Sequence, residues 1–506
     1  MKKLIEIEHF LNTGQLKRAF DLIVARIKKN PVDSDAYYYL SQAHLKNKDL
    51  DKASRALEKS WQLSHHLSTG LELAKLWVFI GKIKQARSLV EELRDNLSTG
   101  HHHNSVANLL VRLSLPIEAI RHFQHAYQLE PSDPEIRLNY AISLKMQGKL
   151  NDAEQVLSSL ISDDPQNYGA QLSLSEIANT ENYPNRLHQL QAIIDKQSLT
   201  PMSNYYFFHC VGLEYEKREH FDLAWQSFKN SKSAIASVRQ FDVNAFNTFV
   251  KTSTHAIEAL QCDVIDSQFA PILVVGMPRS GTSLTEQILA QDPHIAALGE
   301  QAFLLQQSGF SANYTNNSAA LLGSYQSDKL MAAYQHHVLE LSYGLRPVDK
   351  HPFNLFFADQ LLKRFPNARI VILTRNKFDT VIGNFRQLYS PNSPVHQYNY
   401  HIDHVKQVYD GFAQITDALL KRHPNRVTKI KYESLVSAPE QILDRLYRQL
   451  DLKWDACHLE FWQKNYVSTT ASKHQLAHRI NTQSIGKFKE CYSKAYNEVN
   501  SMTAPD

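Results

Sequence analysis

Alanines recur at Ala19, Ala53, Ala86, Ala119 and Ala153, separated by 34, 33, 33 and 34 positions, each inside the second of two helix-like segments. A chain with such a period folds as stacked helix pairs, because each pair has an apolar face that only its neighbour covers. The alanines let paired helices approach closely, and Phe20, Leu57, Phe123 and Leu157 follow within one helical turn to fill the stack. Gly14, Gly81 and Gly148 lie five residues before their alanines, where a turn between helices is expected, and Pro31, Pro131 and Pro165 stand twelve residues after theirs, where a helix must end.

This period resembles that of the tetratricopeptide repeat. The phase lapses between Gly169 and Thr200, and a helical pattern returns over Tyr205 to Ala234, where Ala224 and Phe228 are similar to one more repeat half. The expected organisation is multidomain: an all-α tetratricopeptide superhelix over 1–235, a helical connector over 236–268, an α/β domain over 269–495 and a tail over 496–506. The concave face of such an array is a binding surface for a peptide or protein partner, although other arrays serve only as structural stacks.

The 506 residues exceed one ordinary core, and 43% hydrophobic with 21% charged residues is a globular composition. A net charge of +4 over this length demands neither a nucleic-acid nor a membrane partner. Four cysteines, Cys210, Cys262, Cys457 and Cys491, are too scattered for a zinc site or a disulfide framework. Glu6, Glu8 and His9 interrupt any signal-peptide core, and no apolar run is long enough to span a bilayer, so a cytoplasmic location is expected. Oligomeric state is left open.

After Phe269 the pattern changes. Pro271 to Gly276, Arg369 to Thr374 and Arg426 to Lys431 read as strands, each followed by a helical pattern, which predicts a mostly parallel sheet. The stretch PILVVGMPRSGTSLTEQIL from Pro271 is strand, glycine-bounded loop and helix, with the spacing of a phosphate-binding loop but Thr282 where a nucleotide triphosphatase has lysine. The loop offers backbone N–H groups around Gly281, the hydroxyls of Ser280, Thr282 and Ser283, the cation Arg279 and the positive end of the next helix. Those groups suit a donor with one bridging phosphate, such as a phosphosulfate, better than a magnesium triphosphate.

Further strings follow in order: LGE at Leu298, VDKHPFN at Val348, FPNARIVILTRNKFDTVIGNFRQLY at Phe365, KYESLV at Lys431 and TTASKHQLAHRINTQSIGKF at Thr469. With PRSGTS upstream, this set resembles the sulfotransferase superfamily over about 271 to 490, specifically bacterial tetratricopeptide-repeat sulfotransferases and, more distantly, tyrosylprotein sulfotransferases. The resemblance implies a P-loop-like α/β fold and transfer of a sulfuryl group from 3′-phosphoadenosine 5′-phosphosulfate (PAPS) to an acceptor hydroxyl, protein tyrosine among them. Adenosine 3′,5′-bisphosphate (PAP) is the product and no metal takes part.

By the same resemblance Pro278, Arg279, Ser280, Gly281, Thr282 and Ser283 hold the 5′-phosphosulfate, and Arg375 holds the 3′-phosphate. Glu300 is the general base, Lys350 stabilises the leaving phosphate with Arg279 nearby, and Ser472 contacts the bridging oxygen. Tyr432, Ser484 and Lys487 are cofactor contacts. The plainer alternatives are that Glu300 caps the next helix and that Asp349 and Lys350 form a solvated pair. Three positions depart from the family pattern: Gly383 where serine bonds the 3′-phosphate, Lys377 where proline is usual, and Lys487 where arginine is common. Asn384 or the backbone at the helix start is expected to compensate for the lost hydroxyl. Adjacent histidines His101 to His103 point in different directions on a helix and predict no metal site. Two other functions stay in view, a scaffold carrying an inactive nucleotide-binding domain and a P-loop kinase.

Overall fold

The computed structural model describes residues 2–196, 198–259, 264–266, 268–308, 324–393, 395–463 and 478–501. The chain divides into two compact units, Met1–Ser143 and Leu144–Asp506.

The first unit is built of antiparallel helix pairs: α1 (Lys2–Asn12) with α2 (Leu16–Lys29), α3 (Ser34–Lys46) with α4 (Leu50–Ser64), α5 (Leu67–Phe79) with α6 (Ile83–Leu93), and α7 (Gly100–Arg112) with α8 (Pro116–Leu129), followed by α9 (Pro134–Met146) at its edge. Starts are marked by side chains that accept orphan N–H groups: Asp33 Oδ1 from Ala36 N at 3.0 Å and Thr99 Oγ1 from His102 N at 3.2 Å, while Pro116 opens α8. Ala19, Ala53, Ala86 and Ala119 are fully buried, as is Ala153 in the second unit. The close approach inferred from their spacing is therefore present.

The turn inside each pair explains the glycines. Five residues before each alanine the backbone turns left-handed, with φ of 74° at Gly14, 83° at Gly81 and 78° at Gly148. Lys48 (φ 60°) and Ser114 (φ 60°) take the same conformation where their repeats lack glycine, and so does Glu219 (φ 61°), five residues before Ala224. The segment around Ala224 thus forms the same turn as the regular repeats.

The second unit begins with α10 (Leu150–Asp163), α11 (Tyr168–Ile177), α12 (Arg186–Lys196), α13 (Pro201–Lys217), α14 (Phe221–Ala236) and α15 (Val243–Ala259). Where the repeat phase lapses the chain is still helical, in α11 and α12. It then forms an α/β domain with strands β1 (Ile272–Gly276), β2 (Ile295–Ala297), β3 (Arg346–Asp349), β4 (Arg369–Thr374) and β5 (Val427–Lys431), ordered β2-β3-β1-β4-β5 and parallel throughout. β2 and β3 went unread in the sequence because each is short. Every residue of β1 is buried, as a central strand covered on both faces requires.

Helices α16 (Thr282–Leu289), α17 (Phe303–Gln307), α18 (Ser324–Ser342), α19 (Ala358–Arg364), α20 (Lys377–Arg386), α21 (Ile402–Arg422), α22 (Tyr432–Ser437) and α23 (Pro439–Gln449) connect and cover the sheet, and α24 (Lys487–Cys491) and α25 (Ser493–Ser501) follow. One core face joins Val274, Val371 and Ile430 of the sheet to Ile288, Leu443 and Leu446 of helices. β1 has β3 on one side and β4 on the other, so the connections diverge at its carboxyl end, the position where open parallel sheets open a ligand crevice. Among the described residues, no helix is long and apolar enough to cross a membrane.

Candidate functional site

The loops after all five strands converge on one cleft. The loop after β1 contributes Pro278 to Ser283, the loop after β2 contributes Glu300, and Lys350, Arg375 and Tyr432 directly follow β3, β4 and β5. The cleft has a volume of about 1070 Å³ and is lined by Arg279, Gly281, Thr282, Ser283, Glu300, Arg375, Tyr432, Ser484 and Lys487, among others.

The loop after β1 is shaped by its neighbours. Gly281 has φ 104° and caps α16, and a Cβ there would lie 2.6 Å from the Tyr432 ring, so only glycine lets the loop pass under that ring. Arg279 also has a left-handed backbone, φ 71°, a strained conformation of the kind found at ligand-binding loops. Burial lowers its guanidinium from the ordinary value, with Arg386 and Arg375 adding to that and Tyr389 opposing it. Ser280 is buried and its Oγ has no hydrogen-bond partner among the described residues, a donor left to spare beside the first turn of a helix whose Thr282 and Ser283 line the cleft.

Arg375 lies over the Tyr432 ring at 4.6 Å. One of its terminal nitrogens donates to the carbonyl of Ser484 and lies 3.5 Å from Asp379 Oδ2, which in turn accepts from Gly486 N at 2.9 Å. These bonds hold the segment of Ser484 and Lys487 against α20, which is how residues so distant in sequence reach the same cleft. Arg375 Nε keeps no partner among the described residues. A Cβ built at Gly383 would have Phe488 at 3.4 Å and Arg279 at 3.6 Å as its nearest neighbours.

Asn384 does not compensate for that glycine. Its amide donates to the Pro278 carbonyl at 2.6 Å and to the Thr380 carbonyl at 2.9 Å, and its oxygen accepts from the hydroxyls of Tyr389 at 3.1 Å and Tyr398 at 3.0 Å. One donor ties the loop after β1 to α20 and the other is spent within α20 itself.

Glu300 and Lys350 meet opposite the loop, with Lys350 Nζ donating to Glu300 Oε1 at 2.6 Å. Lys350 is fully buried, whereas the Glu300 side chain is 46% exposed. The solvated Asp349–Lys350 pair is overturned, because Asp349 is buried as well and its Oδ2 accepts from Tyr334 at 3.0 Å and Asn354 at 2.9 Å. The capping role for Glu300 fails too, since α17 is capped by Ala302 with no side-chain bond. Partial burial acts to raise the Glu300 carboxyl, but the charge of Lys350 and the bond from it outweigh that and leave its pKa below the ordinary value.

Residues unread in the sequence complete the site. Glu286 of α16 is buried and accepts from Gly299 N at 2.8 Å, while Lys350 N donates to Gly299 O at 3.0 Å, so the residue before Glu300 is held from both sides. Burial pushes Glu286 up to about 7 against the pull of Lys350, and Asp349 up to about 8. Burial likewise lowers His351 to about 4 and His396 to about 3, which keeps both imidazoles neutral beside Glu300. His396 stacks on Tyr389 with centroids 4.0 Å apart, and together with Phe353 they form an aromatic wall of the cleft. A carboxylate near the start of a helix that follows a phosphate loop is the one sequence signal that pointed at Glu286. Ser472 lies outside the described residues.

The Sulfotransferase family model matches residues 271–456, and tetratricopeptide-repeat models match residues 7–62 and 116–175. An uncharacterized protein of Aquifex aeolicus (strain VF5) is 23% identical over 363 residues, covering 68% of this chain and 46% of the relative, so the chain matches about half the length of that protein. A putative protein-tyrosine sulfotransferase of Caenorhabditis briggsae is 24% identical over 236 residues, covering 44% of this chain and 82% of the relative. Among solved structures, the sulfotransferase domain from the curacin biosynthetic pathway is 16% identical with a TM-score of 0.32, covering 47% of this chain and 99% of that one. The chain thus joins a segment that matches the Sulfotransferase family model, residues 271–456, to segments that match tetratricopeptide-repeat models.

Proposed function

We propose that the protein transfers a sulfuryl group from PAPS to a hydroxyl acceptor, with the tyrosine of a polypeptide as the acceptor and the repeats as the surface that receives it. The observation that carries this reading is the pairing of Glu300 with Lys350 at 2.6 Å in the same cleft as a phosphate loop without the triphosphatase lysine. The donor supplies an electrophilic sulfur and a phosphate leaving group. The residues fit it: among the described residues Ser280 Oγ and Arg375 Nε have no partner, and the first turn of α16 lines the cleft without a side-chain cap.

In this reading Arg279, Pro278 and the hydroxyls of Ser280, Thr282 and Ser283 bind the 5′-phosphosulfate, and Arg375, Gly383, Tyr432, Ser484 and Lys487 surround the 3′-phosphoadenosine. Glu300 removes the acceptor proton as an oxygen–sulfur bond forms, and the bond from sulfur to the bridging oxygen breaks with its electron pair leaving on the phosphate of PAP. Lys350 faces that developing charge, where a fixed ammonium acts most strongly out of water, and Ser472 is assigned to the bridging oxygen. The aromatic wall of Phe353, Tyr389 and His396 suits a phenol, and the name of the Caenorhabditis relative favours the same acceptor. The repeats over 1–235 act as a peptide-binding module, and the protein works in the cytoplasm without a metal.

Incubation with sulfur-labelled PAPS and a tyrosine-bearing peptide tests the reading. Wild-type protein labels the peptide, and Glu300→Ala lowers turnover about 100-fold or more while calorimetric binding of PAP stays within about twofold. Turnover retained by Glu300→Ala would assign the base elsewhere. PAP binding without transfer to any acceptor would favour the scaffold.

A further inference from the structure

Lys232 on α14 is 1% exposed, yet among the described residues no carboxylate pairs with it. Its ammonium donates to the Gln387 carbonyl at 2.7 Å and to Asn399 Oδ1, and lies 5.2 Å from the centre of the Tyr205 ring. Burying an ammonium without a counter-ion is costly, so its compensation must come from oriented dipoles. Gln387 is the residue that ends α20, and a cation at that end meets the negative pole of the helix.

The same helical pair makes three more bonds to this stretch. Tyr205 of α13 donates its hydroxyl to the Tyr389 carbonyl at 2.9 Å, and Glu216 of α13 accepts two bonds from the Arg386 guanidinium. Consecutive residues 386–389 are therefore gripped by α13 and α14, and within them Gln387, Leu388 and Tyr389 line the cleft. Tyr389 is also the ring on which His396 stacks.

We propose that Lys232 is a positioning residue of the active cleft: from the last helical pair before the α/β domain it holds the wall formed by Gln387, Leu388 and Tyr389 against the acceptor. This rests on the sulfotransferase reading and adds that the helical pair of α13 and α14 is part of the acceptor subsite. Lys232 touches neither donor nor acceptor. It acts through the backbone of Gln387, while Tyr205 does the same for Tyr389.

Two variants test it, Lys232→Met, which keeps the length of the side chain without its charge, and Tyr205→Phe, which removes a single hydroxyl. The expected result is a KM for the tyrosine-bearing peptide raised about tenfold in Lys232→Met and about threefold in Tyr205→Phe. PAP affinity stays within about twofold, and hydrogen exchange speeds up across residues 386–390 and not in β1 or α16. A merely structural role would move peptide KM, PAP affinity and global protection together, and that outcome overturns the proposal, as does an unchanged peptide KM in both variants. If Lys232→Met does not fold, Tyr205→Phe decides alone by the same measurements. If the wild-type protein transfers nothing to the peptide, the sulfotransferase reading fails on that result, and the exchange comparison still decides: unchanged protection of 386–390 overturns the positioning role and local loss upholds it.

Discussion

Lys350 donates to Glu300 across 2.6 Å, so the group assigned to the leaving phosphate and the group assigned to the acceptor proton neutralise each other. The pair has a chemical consequence. Glu300 sits below the ordinary carboxylate range because of that ammonium, so in the proposed reaction its strength as a base depends on where the Lys350 charge is directed.

Replacing Lys350 by methionine removes the cation that depresses Glu300. The base must be ionised to act, so the acid limb of the kcat/KM profile moves to higher pH, and turnover falls about 100-fold or more for want of charge on the leaving side. A profile whose acid limb stays in place or moves to lower pH would refute the coupling.

Gly383→Ser restores a hydroxyl to α20. The new Cβ meets Phe488 at 3.4 Å and Arg279 at 3.6 Å, ordinary contact distances, so the helix accepts it without rearrangement. PAP binding tightens by about 1 to 1.5 kcal/mol, near one hydrogen bond, read by calorimetry. Equal or weaker binding would show that Gly383 does not face the 3′-phosphate.

Glu286→Gln changes stability with pH in a defined direction. The folded carboxyl is raised from 4.5 to about 7, so the unfolded chain loses its proton first and the wild-type protein loses stability as pH climbs through that window. Glutamine keeps an acceptor for Gly299 N and does not titrate. The variant is more stable than wild type by about 3 kcal/mol or less above pH 7, and the difference shrinks toward pH 5, measured by denaturant unfolding. A difference independent of pH would mean that Glu286 is ionised throughout.

Lys48→Gly addresses the repeat turn. Lys48 holds φ 60°, where glycine serves three other repeats. Removing the Cβ relieves left-handed strain, partly offset by the greater freedom of the unfolded chain, and gains about 1 kcal/mol in chemical denaturation. Loss of stability would show that the lysine side chain earns its place by a contact.

What was legible in the sequence was local. The alanine period marked helix pairs, since one turn of chain decides which face a residue occupies, while β1 and β4 stood out by apolar runs and β5 by its alternation. The short β2 and β3 carry too few residues for a pattern, and only pairing in the sheet marks them as strands. Glu300 and Lys350 were singled out only through the family strings LGE and VDKHPFN, since β2 and β3 went unread, whereas Arg375 directly follows a strand that the sequence did show, where parallel sheets place their ligands.

By itself the sequence determined the helix pairs, the lysine-free glycine-bounded loop after β1 and the strand-end position of Arg375, because those follow from short-range periodicity and from which residues a tight turn admits. Only the tertiary structure decided that Lys350 pairs with Glu300 instead of Asp349, that Asn384 is spent on the phosphate loop, and that Lys232 reaches Gln387 from a distant helix. Those contacts join segments far apart in the chain, and their energies depend on burial and dipole orientation, quantities that exist only once the sheet has brought the strand ends together.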